Sequence, residues 1–123
     1  MRNLLGLCGL VMILTVLPVN GGPQLTLRVT PLQSFAPATM RVTAHLEPSA
    51  ANRALTIVAD GSEFYRSSEF PLEGDQSAKT FEVFFPNLPG GEYEVYAYLT
   101  DSLGQRRAIA RKPARVLSMA DGQ

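Results

Sequence analysis

The stretch that decides the fold runs from Leu88 to Gly104 and has the sequence LPGGEYEVYAYLTDSLG. A Pro-Gly-Gly turn opens it, apolar and polar residues alternate through its middle, and a second glycine-containing turn closes it. Alternation with a period of two is typical of a β-strand that buries one face. Tyr93 falls on the inward register, whereas Tyr96 and Tyr98 fall on the outward one. We therefore predict an inner strand that leads into a hairpin.

The same period of two recurs along the chain after Gly22, between turns rich in Pro, Gly and Asp. The segment EFYRSSEFPL contains Pro71 and is predicted to be an edge strand or a loop. The last run, QRRAIARKPARVL, is predicted to be bent or broken at Pro113. The inward positions of the other runs are Leu25, Leu27 and Val29; Met40, Val42, Ala44 and Leu46; Leu55, Ile57 and Ala59; and Phe81, Val83 and Phe85. About seven short strands over ~100 residues predict an all-β, immunoglobulin-like antiparallel β-sandwich.

The first 21 of the 123 residues have the composition of a signal peptide. Arg2 supplies the basic start, an uncharged apolar run follows, and Val19-Asn20-Gly21 supplies a cleavage site. We therefore divide the chain into a signal peptide over residues 1–21, a sandwich over 22–117 and a flexible tail over 118–123. This division predicts an exported protein, secreted or periplasmic, that is not inserted in a membrane after cleavage. An uncleaved N-terminal anchor is the alternative.

The charge and cysteine content of the exported part narrows its function. Arg2 is the only charged residue of the signal, so ten of the 11 basic residues and all 11 acidic residues remain. This balance argues against nucleic-acid binding, which needs many cations to neutralise phosphates. Cys8 is the only cysteine and leaves with the signal, so the domain must fold on its apolar core without a disulfide.

The turn before the strand supports a structural role for Tyr93. Pro89-Gly90-Gly91 allows a tight reversal, and a Tyr two residues into the next strand can return its hydroxyl to the turn backbone, as in a tyrosine corner. This order resembles the penultimate strand of fibronectin type III and related bacterial immunoglobulin-like domains. The chain lacks any Trp, the Cys-Trp-Cys spacing of true immunoglobulin domains and the W-x-F-G-D-G signature of polycystic-kidney-disease repeats. The resemblance therefore implies the broad immunoglobulin-like class without a subfamily.

The residues needed for catalysis or metal binding are scarce. His45 is the only histidine and falls on a polar strand face, whereas zinc usually takes three or four Cys, His or carboxylate ligands. No G-x-S-x-G nucleophile motif occurs, and the acidic turn residues, such as Asp60 and Asp101, form no calcium-loop pattern. We therefore predict a protein that is not an enzyme and has no metal site and no cofactor.

The outward aromatic residues are the candidate binding site. Tyr96 and Tyr98 stand two apart on one face, and Phe84 of the preceding run is also outward by its alternation. Exposed aromatic clusters mark protein or carbohydrate contacts, although Tyr also stabilises strands by cross-strand packing. We predict Arg107 and Arg111 at the rim of this site. The loops 60–75 and 100–105 are alternative sites.

The basic residues of the last strand have a structural explanation as well as a functional one. An anion or acidic-glycan site is the functional hypothesis for this set, which comprises Arg106, Arg107, Arg111, Lys112 and Arg115. The structural alternative is pairing with Glu92 and Glu94 across the neighbouring strand.

Two hypotheses for the function remain after these exclusions. The first is an exported, non-enzymatic binding module whose partner is another envelope or secreted protein. The alternative is a carbohydrate-binding module that uses the outward tyrosines, for which the partner is a glycan.

Overall fold

Alternating apolar residues form eight strands in the computed structural model, which describes residues 24–118. The predicted signal peptide and residues 119–123 of the predicted tail lie outside the described residues. A short 3-10 helix, Gly74–Gln76, separates the fifth strand from the sixth. The strands are β1 (Leu25–Thr30), β2 (Gln33–Phe35), β3 (Ala38–Leu46), β4 (Asn52–Gly61), β5 (Tyr65–Pro71), β6 (Thr80–Leu88), β7 (Gly91–Asp101) and β8 (Arg106–Leu117).

Two sheets form the sandwich. The small sheet has the strand order β1-β3-β6, and the large sheet has the order β2-β8-β7-β4-β5. All strand pairs are antiparallel except β2 with β8, which is parallel. The prediction of an all-β sandwich is thus confirmed. Between residues 24 and 118, no helix is long and apolar enough to cross a membrane.

The core lies between the sheets and consists of the inward positions of the alternating runs. Leu55 and Ile57 of β4 are fully buried, as are Val42 of β3 and Val95 of β7. The inward register predicted for β1, β3 and β4 is confirmed. Because apolar burial is worth about 25 cal/mol per Å², this continuous cluster is the main term that stabilises a domain without a disulfide.

The sequence did not predict strand β2. Its three residues are too few for an alternation, and two prolines, Pro31 and Pro37, flank it. Distant backbone contacts form it instead: Ala36 N donates to Leu117 O at 2.7 Å, and Arg115 N donates to Leu32 O at 2.9 Å. Strand pairing of this kind depends on the end of β8, eighty residues away, and leaves no local pattern.

The predicted break at Pro113 is wrong. Strand β8 continues through Pro113, which lies opposite Glu94. Arg115 N points away from β7, toward β2. Because backbone groups two residues apart on a strand point to the same side, the nitrogen of Pro113 also points away from β7. The missing N–H of Pro113 therefore removes no hydrogen bond to β7. Strand β8 is irregular instead at Ala108, whose φ is 55°. There a β-bulge adds one residue to β8 and shifts its pairing with β7 between Ala97 and Leu99.

Tyr93 fixes the entrance to β7. Its ring is buried, and its hydroxyl donates a hydrogen bond to Pro89 O at 2.7 Å. A Cβ at Gly61 would lie 2.8 Å from Cε2 of Tyr93, so the absence of a side chain at Gly61 makes room for the ring. A Cβ at Gly90 would lie 2.9 Å from the Cβ of Ser118, so Gly90 is required for space and not for a positive φ.

Candidate functional site

Strand β7 presents two tyrosines on the outer face of the large sheet. Tyr96 lies opposite Val58 of β4 on one side and Arg111 of β8 on the other. Tyr98 lies opposite Thr56 of β4. Both tyrosines are half-buried, and Val58 beside them is only 1% exposed although it belongs to the outer face. The rings therefore cover part of the sheet as well as facing outward.

The two tyrosine rings stack on each other along the strand. Their centroids are 6.3 Å apart and their planes differ by 21°. The guanidinium carbon of Arg106 lies 4.1 Å from the centroid of Tyr98, and that of Arg111 lies 6.0 Å from the centroid of Tyr96. Each ring therefore has one neighbouring ring and one neighbouring cation, an arrangement that the ring quadrupole stabilises. We call this site the tyrosine face and define it by Tyr96, Tyr98, Arg106 and Arg111, together with Tyr65, which stands on the same outer face in β5.

The charges around the tyrosine face are only partly paired. Glu94 Oε1 lies 3.6 Å from Arg111 Nη1, and Glu92 Oε2 lies 2.7 Å from Arg115 Nε. The cross-strand pairing expected of these glutamates is thus confirmed. Arg106 makes no ion pair with a carboxylate of residues 24–118, so its donors face solvent above Tyr98.

The phenol of Tyr96 stays neutral over the physiological pH range. Burial raises its pKa above the usual 10.0, and nearby Tyr65, Asp60 and Tyr98 raise it further, against an opposing effect of Arg106. A neutral phenol can both donate and accept a hydrogen bond.

Arg107, which the sequence placed at the rim, is not part of the site. It lies opposite Leu99 on the inward register of β7 and lines a shallow surface cavity with Glu47 and Asn52. The extra residue at Ala108 explains the error, because it shifts the alternation of β8 by one. Arg106 lies at the position expected for Arg107, and Arg111 lies beside Tyr96 as predicted.

Phe84 does not join the tyrosines either. It is 55% exposed, as its alternation predicts, but it belongs to β6 of the small sheet. The next strand along the chain, β7, carries the tyrosines and pairs with β4 and β8 in the large sheet. The two aromatic groups therefore lie on opposite outer surfaces of the sandwich.

Tyr65 falls within the alternative site 60–75, but the sequence did not place it on the same face as Tyr96. It is 60% exposed and lies opposite Asp60, which in turn lies opposite Glu94, so it stands on the same outer face as Tyr96. The signal was present, because Tyr65, Ser67 and Glu69 alternate with Arg66, Ser68 and Phe70. The pairing of β5 with β4 was needed to assign that alternation to a face.

The polar residues considered for catalysis or metal binding occupy ordinary structural positions. His45 Nδ1 lies 3.0 Å from Thr80 Oγ1 on the outer face of the small sheet. Asp101 Oδ1 accepts hydrogen bonds from Leu103 N and Gln105 N, both at 2.9 Å, and so holds its own turn. Among residues 24–118, no three His, Cys, Asp or Glu side chains are grouped to hold a metal ion.

No family model matches this chain, and no curated protein sequence matches it. Several solved structures resemble it. The PKD domain of an M14-like peptidase from a Thermoplasmatales archaeon has a TM-score of 0.54 and 17% identity over 80% of this chain and 99% of that chain. The human F-spondin reeler domain has a TM-score of 0.52 and 15% identity over 80% of this chain and 92% of that chain.

A third similar structure carries the name of an enzyme. A superoxide reductase (neelaredoxin) from Ignicoccus hospitalis has a TM-score of 0.51 and 10% identity over 76% of this chain and 80% of that chain. At such low identities, these three likenesses establish a shared β-sandwich fold and nothing about activity.

Proposed function

We propose that this chain is an exported, non-enzymatic binding module that contacts another envelope or secreted protein through the tyrosine face. The observation that carries the proposal is the Tyr96–Tyr98 stack, flanked by the unpaired Arg106 and the exposed Tyr65. Tyr and Arg are the residues most enriched among those that dominate binding energy at protein interfaces. Here a sheet holds them in place, so little side-chain entropy is lost on binding.

We also propose that the sandwich is of the fibronectin type III-like kind. The order of the small sheet, β1-β3-β6, and the opposing group β8-β7-β4-β5 support this assignment. So does Tyr93, which stands near the start of β7 and bonds to the turn that joins β6 to β7. That is the position of the tyrosine corner in immunoglobulin-like domains.

The arrangement of the rings supports a protein partner over a glycan. A sugar ring stacks on an open aromatic face. In this site Tyr96 and Tyr98 stack on each other, and the guanidinium carbon of Arg106 lies over the ring of Tyr98, 4.1 Å from its centroid. The groups left for a partner are ring edges, hydroxyls and guanidinium donors, which suit the carboxylates, carbonyls and aliphatic side chains of a protein surface.

The N-terminal sequence supports export. If residues 1–21 are a cleaved signal peptide, the exported protein should begin near Gly22. N-terminal sequencing of protein recovered from the exported fraction checks this prediction. An intact Met1 in the membrane fraction would instead support the uncleaved anchor.

A pull-down with the C-terminally tagged protein tests the proposed function. The bait is incubated with the envelope and secreted fractions of the source cell, and retained proteins are identified by mass spectrometry. We expect one retained protein that is lost when Tyr65 and Tyr98 are both replaced by serine. Retention by a polysaccharide column, with no protein captured, would support the carbohydrate-binding alternative.

A further inference from the structure

No strand between residues 24 and 118 pairs with the outer edge of β6, whose backbone groups are spaced for pairing. Leu46 N donates to Lys79 O at 2.8 Å, so residue 79 faces β3. In an antiparallel ladder the facing residues alternate, and therefore Phe81, Val83 and Phe85 also bond β3. The N–H and C=O groups of Thr80, Glu82 and Phe84 consequently point away from the sheet.

The first half of this edge has less protection than the edges that β5 and β8 present. Natural sheets protect edges with Lys, Arg, Pro or bulges. Strand β5 carries Arg66, Glu69 and Pro71 at the edge of the large sheet, and β8 carries several basic residues and Pro113. The stretch of β6 from Thr80 to Phe85 is apolar and aromatic apart from Thr80 and Glu82. Its proline, Pro86, and its bulge near Asn87, whose φ is 61°, come only afterwards.

The side chains along this edge are incompletely covered. Phe84 is 55% exposed on the outer surface, and Phe81 and Val83 are only partly buried on the inner side. The ring of Phe81 contacts that of Phe70 in β5, with centroids 5.2 Å apart, and so connects the two sheets on this side. A strand added beside β6 would cover all three side chains.

We propose that β6 pairs antiparallel with β6 of a second copy of this chain, in the register that places Glu82 opposite Phe84 of the other copy. In this register the two Val83 residues lie opposite each other on the two-fold axis. On each side of the axis, the outward backbone N–H and C=O groups of Glu82 in one copy bond those of Phe84 in the other. Shifting the centre to Glu82 would place two carboxylates side by side, which is unfavourable. Shifting it to Phe84 would oppose Glu82 with Pro86, which has no N–H, and so would lose both complete Glu82–Phe84 pairs. In the proposed register Pro86 lies opposite only the terminal Thr80.

The charges at the proposed contact are compatible with pairing. Glu82 Oε2 lies 3.4 Å from Arg41 Nε in the same molecule, so each glutamate brings its own counter-ion. The product is a continuous six-stranded sheet, β1-β3-β6 joined to its copy. Because only about six residues of each copy take part, the buried area falls below the ~1,200 Å² of ordinary stable interfaces, and we expect a weak, concentration-dependent dimer.

Sedimentation equilibrium of the purified protein over a concentration series tests the proposal. Phe84→Lys places a lysine opposite Glu82 of the other copy on each side of the two-fold axis. The two opposite-charge pairs should lower the dissociation constant of the dimer about tenfold. Phe84→Glu places two pairs of like charges there and should weaken the dimer by at least about tenfold. Circular dichroism melts should be alike for both variants, since Phe84 contributes an exposed ring.

The controls fix the location and the register. Ser67→Lys and Ser67→Glu, which change the edge strand β5 in the same way, should leave the dimer unchanged. Glu82→Lys combined with Phe84→Glu should restore association. A protein that stays monomeric at every concentration, or Phe84→Lys and Phe84→Glu variants that weaken the dimer equally, would overturn the proposal. The tyrosine face lies on the other sheet, so this result does not depend on the outcome of the pull-down.

Discussion

Replacing Tyr93 by Ala is expected to lower the free energy of unfolding by about 3–5 kcal/mol. The ring is 4% exposed, fills the space above Gly61 and meets the ring of Phe64 edge-on at 6.4 Å between centroids. Its removal leaves a cavity and also frees Pro89 O from its hydrogen bond. Urea unfolding followed by circular dichroism measures the change.

Tyr93→Phe separates the hydroxyl from the ring. It keeps the packing and removes only the bond to Pro89, so it should cost about 1 kcal/mol. If Tyr93→Ala unfolds at the same urea concentration as the unsubstituted protein, Tyr93 does not hold the turn before β7.

Alkaline pH provides an independent test of the same residue. Burial raises the pKa of Tyr93 above 10.0 in the folded state. The folded state therefore holds this proton more tightly than the unfolded state. The resulting stabilisation is complete below pH 10.0 and is lost as the pH rises through the folded pKa. Tyr93→Phe should lose less stability above pH 10 than the unsubstituted protein does, which urea midpoints measured across that range would reveal.

Replacing both Tyr96 and Tyr98 by serine is expected to abolish partner binding. The substitution removes the stack, and Arg106 loses the ring that orients its guanidinium group. Because the two rings also lie beside buried Val58, we expect a loss of about 1–2 kcal/mol in stability, with the fold retained. Binding is measured with the partner recovered in the pull-down, at a temperature well below the melting transition of the variant.

A pair of neighbouring arginines provides the matched control. Arg106→Ala should weaken binding at least about tenfold, because truncating an interface arginine that dominates binding costs ~2 kcal/mol or more. Arg107→Ala removes the same charge one residue away, on the inward register, and should leave affinity within about twofold. Equal effects of the two would mean that net charge, and not the tyrosine face, drives binding.

The sequence predicted the sandwich because its local pattern and its packing agree. Val42, Ile57 and Val95 stand at inward positions of regular alternations, and all are fully buried. Where long-range contacts decide the structure, the sequence carried no signal. Strand β2 exists through backbone bonds to Leu117 and Arg115, far along the chain.

The tyrosine face was predicted in part for the same reason. Tyr96 and Tyr98 follow the alternation of β7, and their outward register could be read directly from the sequence. The position of Arg106 could not be predicted, because the bulge at Ala108 shifts the register of β8 and no Gly or Pro marks that bulge in the sequence. Phe84 was misassigned because adjacent strands in sequence belong to different sheets, a feature of topology that alternation does not encode.

Site-specific photo-crosslinking in the native cell tests the proposed contact surface most directly. A benzophenone amino acid is introduced at Tyr65, on the tyrosine face, and separately at Thr26, on the outer face of the small sheet. We expect a covalent adduct with a different protein from position 65 and none from position 26. An adduct from position 26 with none from position 65 would contradict it.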